Sequence, residues 1–130
     1  MTPKFNYVGL ITADMPAALA FYRLLGLDIP ADADTEGHVD IMLPSGVRLA
    51  WDSEDEIKKF DPNWRQPNSP GRVNFAFDCG SPAEVDKTYA DIVAAGHTGH
   101  REPWDAFWGQ RYASVLDPDG NSIDLYAPLT

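Results

Sequence analysis

Residues Ser122, Ile123, Asp124, Leu125 and Tyr126 alternate between polar and apolar. A period of two predicts a half-buried strand over 121–127, with Asp124 on the same face as Ser122 and Tyr126. Pro118-Asp119-Gly120 makes the turn before it, and 111–116 and 98–103 are further strand candidates. The rhythm changes upstream. Ser81-Pro82-Ala83-Glu84 is a capping box with proline at the first helical position, and the helix it opens runs to about Ala95, where Gly96 stops it. Residues 72–79 before it read as a strand.

The first half repeats this order. FNYVGLI at 5–11 is a strand candidate, Asp14 caps a helix that continues through Pro16 to about Leu25, and Gly26 stops it. Its apolar positions Ala17, Leu19, Ala20, Phe21 and Leu24 recur near helical spacing. Strand candidates follow at 27–31, 38–43 and 47–52, the last two joined by Pro44-Ser45-Gly46. Strand, helix and three strands thus occur twice. DPNWRQPNSPG at 61–71 has three prolines and no periodicity, so it is a loop or linker. A half of roughly 60 residues cannot easily bury a sheet face alone, so one fused domain over 1–130 is expected, with module 1 at about 5–60 and module 2 at about 72–128. The fold class is α+β.

Alternation also assigns faces. Phe5, Tyr7, His38, Asp40, Met42, Arg48, Ala50 and Asp52 share one phase in the first half. Asn74, Ala76, Asp78, Tyr112, Ser114, Leu116, Ser122, Asp124 and Tyr126 share it in the second. The opposite phase holds Val39, Ile41, Leu43, Val47, Leu49, Val73, Phe75, Phe77, Ile123 and Leu125, the face expected to pack on helices.

Composition narrows the function. The net charge is −10, from 20 acidic and 10 basic residues, which argues against nucleic-acid binding and favours solubility and cationic partners. No apolar run approaches a membrane span and no signal-peptide pattern opens the chain, so a cytoplasmic setting without membrane contact is expected. Cys79 is the only cysteine, which excludes a disulfide framework and a thiolate metal cluster. His97 and His100, three apart at a strand entry, face opposite sides, and His38 lies in the other half. No G-x-S-x-G, H-E-x-x-H or P-loop pattern appears, and nothing assembles a nucleophile with a base. The DSEDE run at 52–56 reads as a solvated helix start that suits the helix dipole.

Aromatic residues are the strongest remaining signal. In EPWDAFWGQRY, read as a loop, Trp104, Phe107, Trp108 and Tyr112 fall within nine residues, and Gly109 permits a tight path. Trp64 sits in the linker, with Phe60 just before it. Such rings supply contact area for a flat ligand, or else plug a loop or a dimer interface.

The order of these fragments, with AALAFYRLLGL, SPAEVDKTYADIVAAG and EPWDAFWGQRYASVLDPDGNSIDLYAP as its best marks, resembles the vicinal oxygen chelate superfamily of glyoxalases, extradiol dioxygenases and bleomycin-resistance proteins. The resemblance covers essentially the whole chain. It implies two βαβββ modules forming curled mixed sheets, with helices on the outer face and a cup for a small molecule. In the metalloenzymes, the first and last strand of each module each supply one His, Glu or Gln ligand. Carried onto this chain, those positions are Tyr7, Ala50, Asn74 and Asp124, of which only Asp124 is a good ligand for Zn, Fe, Mn or Ni.

The resemblance is therefore greatest to the metal-free, bleomycin-resistance-type binding proteins. It implies a homodimer that sequesters a planar or polycyclic natural product, a cationic one suiting the acidic chain, and thereby confers antibiotic self-resistance. Neither catalytic residue, cofactor nor metal is expected. Ligand contacts are expected from Tyr7, His38, Asp40, Phe60, Trp64, Asn74, Trp104, Phe107, Trp108, Tyr112, Ser114 and Asp124. The alternative is a lyase or dioxygenase of the same superfamily with a degenerate or unusual site.

Overall fold

The first helix begins where the sequence asks it to. The Asp14 side chain accepts a hydrogen bond from the Ala17 backbone N–H at 3.1 Å, capping α1 (Met15–Leu24). Gly26 ends it with φ +88°, a conformation that disfavours a side chain. These observations come from a computed structural model that describes residues 2–67 and 72–130. Part of the 61–71 linker segment thus lies outside the described residues.

The chain forms two compact units, one of residues 1–23 and 27–66, the other of residues 24–26 and 67–130. In the first, β1 (Tyr7–Thr12), β2 (His38–Met42) and β3 (Arg48–Ser53) form a sheet in the order β1-β3-β2. β1 runs parallel to β3, and β2 antiparallel to it. Trp51 is fully buried, and its ring lies 5.3 Å from that of Tyr22 on α1, so the Leu49/Trp51 face of β3 is the helix-covered one. Ser53 caps α2 (Glu54–Phe60) by accepting from the Glu56 N–H at 3.1 Å, and Glu54, Asp55 and Glu56 occupy the first turn, where the helix dipole favours them.

The strand expected at 27–31 does not form. Residues 27–30 are irregular and lead into a 3₁₀ turn over Ala31–Thr35. Pro30 cannot donate to a ladder, and Arg23 captures the carbonyls of Ile29 and Pro30 at 3.3 and 2.7 Å. The first sheet therefore has three strands, not four.

The second unit follows the expected order. Ser81 caps α3 (Pro82–Ala94), which packs over β5 (Thr98–Ala106), β6 (Gln110–Leu116) and β7 (Ser122–Pro128). With β4 (Asn74–Asp78) the sheet runs β4-β7-β6-β5, β4 being parallel to β7 and the other pairs antiparallel. Val85 and Ile92 of α3 and Ala113, Val115, Ile123 and Leu125 of the sheet are fully buried, as the alternation requires. Val73 departs from that expectation, lying ahead of β4 and largely exposed. The segment read as an aromatic loop is instead the end of β5, a turn at Phe107-Trp108-Gly109 and the start of β6. Among the described residues no helix is long and apolar enough to cross a membrane.

The repeat is visible in register. Tyr7 pairs with Arg48, and Asn74 with Ser122; two residues on, Gly9 pairs with Ala50, and Ala76 with Asp124. Tyr7 and Asn74 are thus equivalent positions, as are Ala50 and Asp124.

Trp51→Ala should cost about 3–5 kcal/mol of unfolding free energy in urea, the range for truncating a buried aromatic. Phe107→Ala, at a ring 90% exposed, should cost less than about 1 kcal/mol. Equal costs would contradict this assignment of the core.

Candidate functional site

In the second unit the strand alternation places a carboxylate, Asp124, 94% buried on the sheet face opposite α3. A buried charge is costly unless hydrogen-bonded, and here three neighbours do so. Tyr112 Oη donates to Oδ2 at 2.7 Å, Ser114 Oγ donates to Oδ1 at 2.8 Å, and Asn74 Nδ2 also donates to Oδ2. Tyr112 and Ser114 come from β6 and Asn74 from β4, so this one carboxylate ties together both strands that flank β7. Burial first, and the bond to Asp124 second, push the Tyr112 phenol up to about 12. Tyr112 therefore stays a donor throughout the ordinary pH range.

Beside this cluster the rings pack on one another. Trp108 meets Trp104, Phe107 and Tyr112 edge to face, at centroid distances of 5.5, 4.9 and 5.3 Å. Its Nε1–H donates to Gln110 Oε1 at 2.8 Å. Arg101, which sequence analysis passed over, lies with Cζ 4.2 Å from the Trp104 ring centroid, a cation–π contact. Trp104 and Trp108 touch each other, so a flat ligand would lie against this ring cluster rather than in a ready slot between two indoles.

The first unit presents a different chemistry on the equivalent face. His38 Nδ1 lies 2.6 Å from Asp52 Oδ1, and Nε2 lies 2.8 Å from Asp40 Oδ2. Carboxylates only accept, so both ring nitrogens carry protons when both bonds are made. Arg48 donates to the other oxygen of Asp40 at 2.5 Å. The bonds to Asp52 and then Asp40 raise the His38 pKa above 6.5, against the smaller opposing effect of burial. His38 and then Arg48 hold Asp40 below the usual carboxylate range. Burial and the charges of Asp52 and Asp40 push the Tyr7 phenol up, which disfavours the phenolate a metal would need. Arg48 and Asp52 share the expected face but were not singled out as contacts; their register opposite β2 is what gives them partners. An open depression of about 340 Å³ adjoins His38 and Asp40, bounded by Pro30, Asp32, Ala33, Glu36 and Val39.

Phe60 is an exposed residue at the end of α2, and Trp64 is half-buried in the turn that follows, both in the first unit. Among the expected contacts, the structure joins Asn74, Tyr112, Ser114 and Asp124 by hydrogen bonds, Trp104, Phe107, Trp108 and Tyr112 by ring contacts, and His38 with Asp40. His100 is exposed on β5, and burial pushes the Cys79 thiol up, making it a poor nucleophile.

The four positions implied as metal ligands carry poor donors, Asp124 apart. Ala50 has no donor atom and is fully buried. The Asn74 amide nitrogen and the Tyr112 and Ser114 hydroxyls point protons, not lone pairs, at Asp124. Both Asp124 oxygens already accept hydrogen bonds, which a metal would have to displace or share. Among the described residues no three His, Cys, Asp or Glu side chains converge to hold a metal ion.

The His38 bridge makes stability depend on pH with a definite sign. Its folded pKa is raised, so its contribution is complete below 6.5 and is lost as pH rises through the folded value. Asp40 is lowered, so its contribution is complete above 3.8 and is lost as pH falls through its folded value. Because His38 is 42% exposed, the effect should stay within the roughly 0.2–1 kcal/mol of exposed ion pairs. Urea unfolding at pH 5.5 and 9 should show this loss in the parent chain and not in His38→Gln. An identical pH dependence in both would refute the bridge.

Comparison with known proteins agrees with the fold. The Glyoxalase/Bleomycin resistance protein/Dioxygenase superfamily matches residues 4–125. Among curated proteins no significant match is found. A glyoxalase/bleomycin resistance protein/dioxygenase family enzyme from Burkholderia phytofirmans PsJN is similar over 98% of this chain and 100% of its own, at 21% identity and a TM-score of 0.79. A glyoxalase/bleomycin resistance protein/dioxygenase from Nocardioides is 27% identical over 99% of this chain and 85% of its own, with a TM-score of 0.72. A lactoylglutathione lyase from Agrobacterium tumefaciens is 23% identical over 97% of this chain and 94% of its own, with a TM-score of 0.67. With a match across nearly its whole length, the chain belongs to the glyoxalase/bleomycin resistance protein/dioxygenase superfamily.

Proposed function

We propose that this chain is a metal-free small-molecule binding protein of that superfamily, which sequesters a planar or polycyclic natural product as a cytoplasmic homodimer and so protects its host from an antibiotic. The observation that carries the reading is the state of Asp124. The one implied ligand position with a carboxylate accepts hydrogen bonds at both oxygens, from Tyr112, Ser114 and Asn74, and its counterpart in the first unit is Ala50. What this face offers is contact area: Trp104, Phe107, Trp108 and Tyr112 form one patch of rings, with Trp108 48% and Phe107 90% exposed. Exposed rings in such a group suit binding better than an ordinary solvated face.

A lyase or dioxygenase is the rival reading. His38 is its best support, being a titratable group with a raised pKa. Both of its nitrogens are engaged by carboxylates, so it would have to break one bond before passing a proton to a substrate.

Native mass spectrometry of the protein purified from its own host tests the proposal. The expected species is a dimer of about twice the 14.4 kDa chain mass, carrying an organic adduct and no metal. A single chain carrying a stoichiometric transition metal would refute it.

A further inference from the structure

The strand β5 reaches the site by an irregular route. Gly99 pairs with Val115, Arg101 with Ser114 and Trp104 with Tyr112. From Gly99 to Trp104, β5 advances five residues while β6 advances three. Two extra residues are therefore accommodated by two register shifts, the features by which strands re-aim side chains. Pro103 lies in the second, where a proline is tolerated. Gly99 faces α3, since a Cβ there would meet the Tyr89 hydroxyl. Without the first shift, Arg101 would face α3 as well. Without the second, Trp104 would face away from Arg101. Together the shifts put the guanidinium and the indole on the face of Tyr112, Ser114 and Asp124.

Arg101 also differs from Arg111 and Lys87. In its own unit Arg111 is held by Asp86 and Asp105, and Lys87 by Asp91. Among the described residues no carboxylate pairs with Arg101, and its side chain is exposed. A guanidinium held against a ring keeps N–H donors in a rigid planar fork suited to an oxyanion. Asp124 accepts hydrogen bonds from Tyr112, Ser114 and Asn74 instead.

We propose that the ligand of this face is a flat aromatic molecule bearing an oxyanion, with its ring system against the Trp104–Trp108–Tyr112 cluster and its anionic group on Arg101. The inference rests on the small-molecule-binding reading and names its ligand class. It reverses the sign that net charge suggests. A charge of −10 sets the long-range field, but the contact at the site sets which ligand is held.

Calorimetric titration of the full chain with three matched probes tests it: 9-anthracenecarboxylate, the neutral 9-anthracenemethanol and the cationic 9-(aminomethyl)anthracene. The carboxylate is expected to bind about 10- to 100-fold tighter than the alcohol, as a charge-assisted hydrogen bond supplies, and to weaken as salt is raised. Arg101→Ala should bring the carboxylate down to the affinity of the alcohol. Arg101→Lys, which keeps the charge but not the fork, should fall between, with circular dichroism showing both variants folded. If carboxylate and alcohol bind alike, if the cation binds best, or if Arg101→Ala keeps the preference, the oxyanion assignment is overturned while the aromatic-binding reading stands. If none of the three binds, both fall.

Discussion

The carboxylate of Asp124 is the constraint around which the second unit is organised. A buried carboxylate needs donors, and the sheet supplies three from two other strands. Each donor has its own structural cost. Tyr112 must lie over the sheet with its hydroxyl inward, Ser114 must be small enough to fit beside it, and Asn74 must start the parallel strand in register. Removing the acceptor would leave three donors facing one another, so Asp124 acts as a strut between β4, β6 and β7. The same bonds decide the chemistry, because a lone pair given to a hydroxyl is not available to a cation. The inward Tyr112 also sets the ring on which Trp108 packs, and hence the position of the aromatic cluster.

The two units show how one repeat can diverge while its backbone register persists. The parallel pairing of β1 with β3 matches that of β4 with β7 position for position. Where the second unit has Asp124, the first has Ala50, which needs no partner and supplies none. Its polar cluster forms around this position, with Asp40 opposite Ala50 and His38 opposite Asp52 two residues further along. Charges there are balanced across strands, with His38 and Arg48 against Asp40 and Asp52. Among the described residues no three His, Cys, Asp or Glu side chains are placed to hold a metal ion.

Much of the fold was legible in the sequence because period and punctuation agreed there. The helices at Met15–Leu24 and Pro82–Ala94 are framed by Asp14, Ser81, Gly26 and Gly96, and the strand phases at 38–42, 48–53 and 122–128 separate buried from polar faces. The missing strand at 27–31 was hidden because its carbonyls are claimed by Arg23, a tertiary contact that propensity does not encode. The candidate site was half legible. Asp124, Tyr112, Ser114 and Asn74 could be placed on one face by counting in twos. Arg101 could not, because two register shifts break the count between Gly99 and Trp104. The mutual packing of Trp104 and Trp108 was likewise beyond sequence, since the segment folds as a hairpin whose turn brings its rings together.

The most direct measurement is a titration of Zn²⁺ and Mn²⁺ into the purified chain and its Asp124→Ala variant, followed by thermal unfolding. A metal that binds only the folded state raises its apparent stability by mass action. If Asp124 is a hydrogen-bonded strut, neither metal will raise the Tm of the parent chain, and the variant will unfold more easily by at least about 1–3 kcal/mol, the cost of stranding a buried donor. A one-to-one metal complex that raises the Tm of the parent chain and is lost in Asp124→Ala would contradict the account.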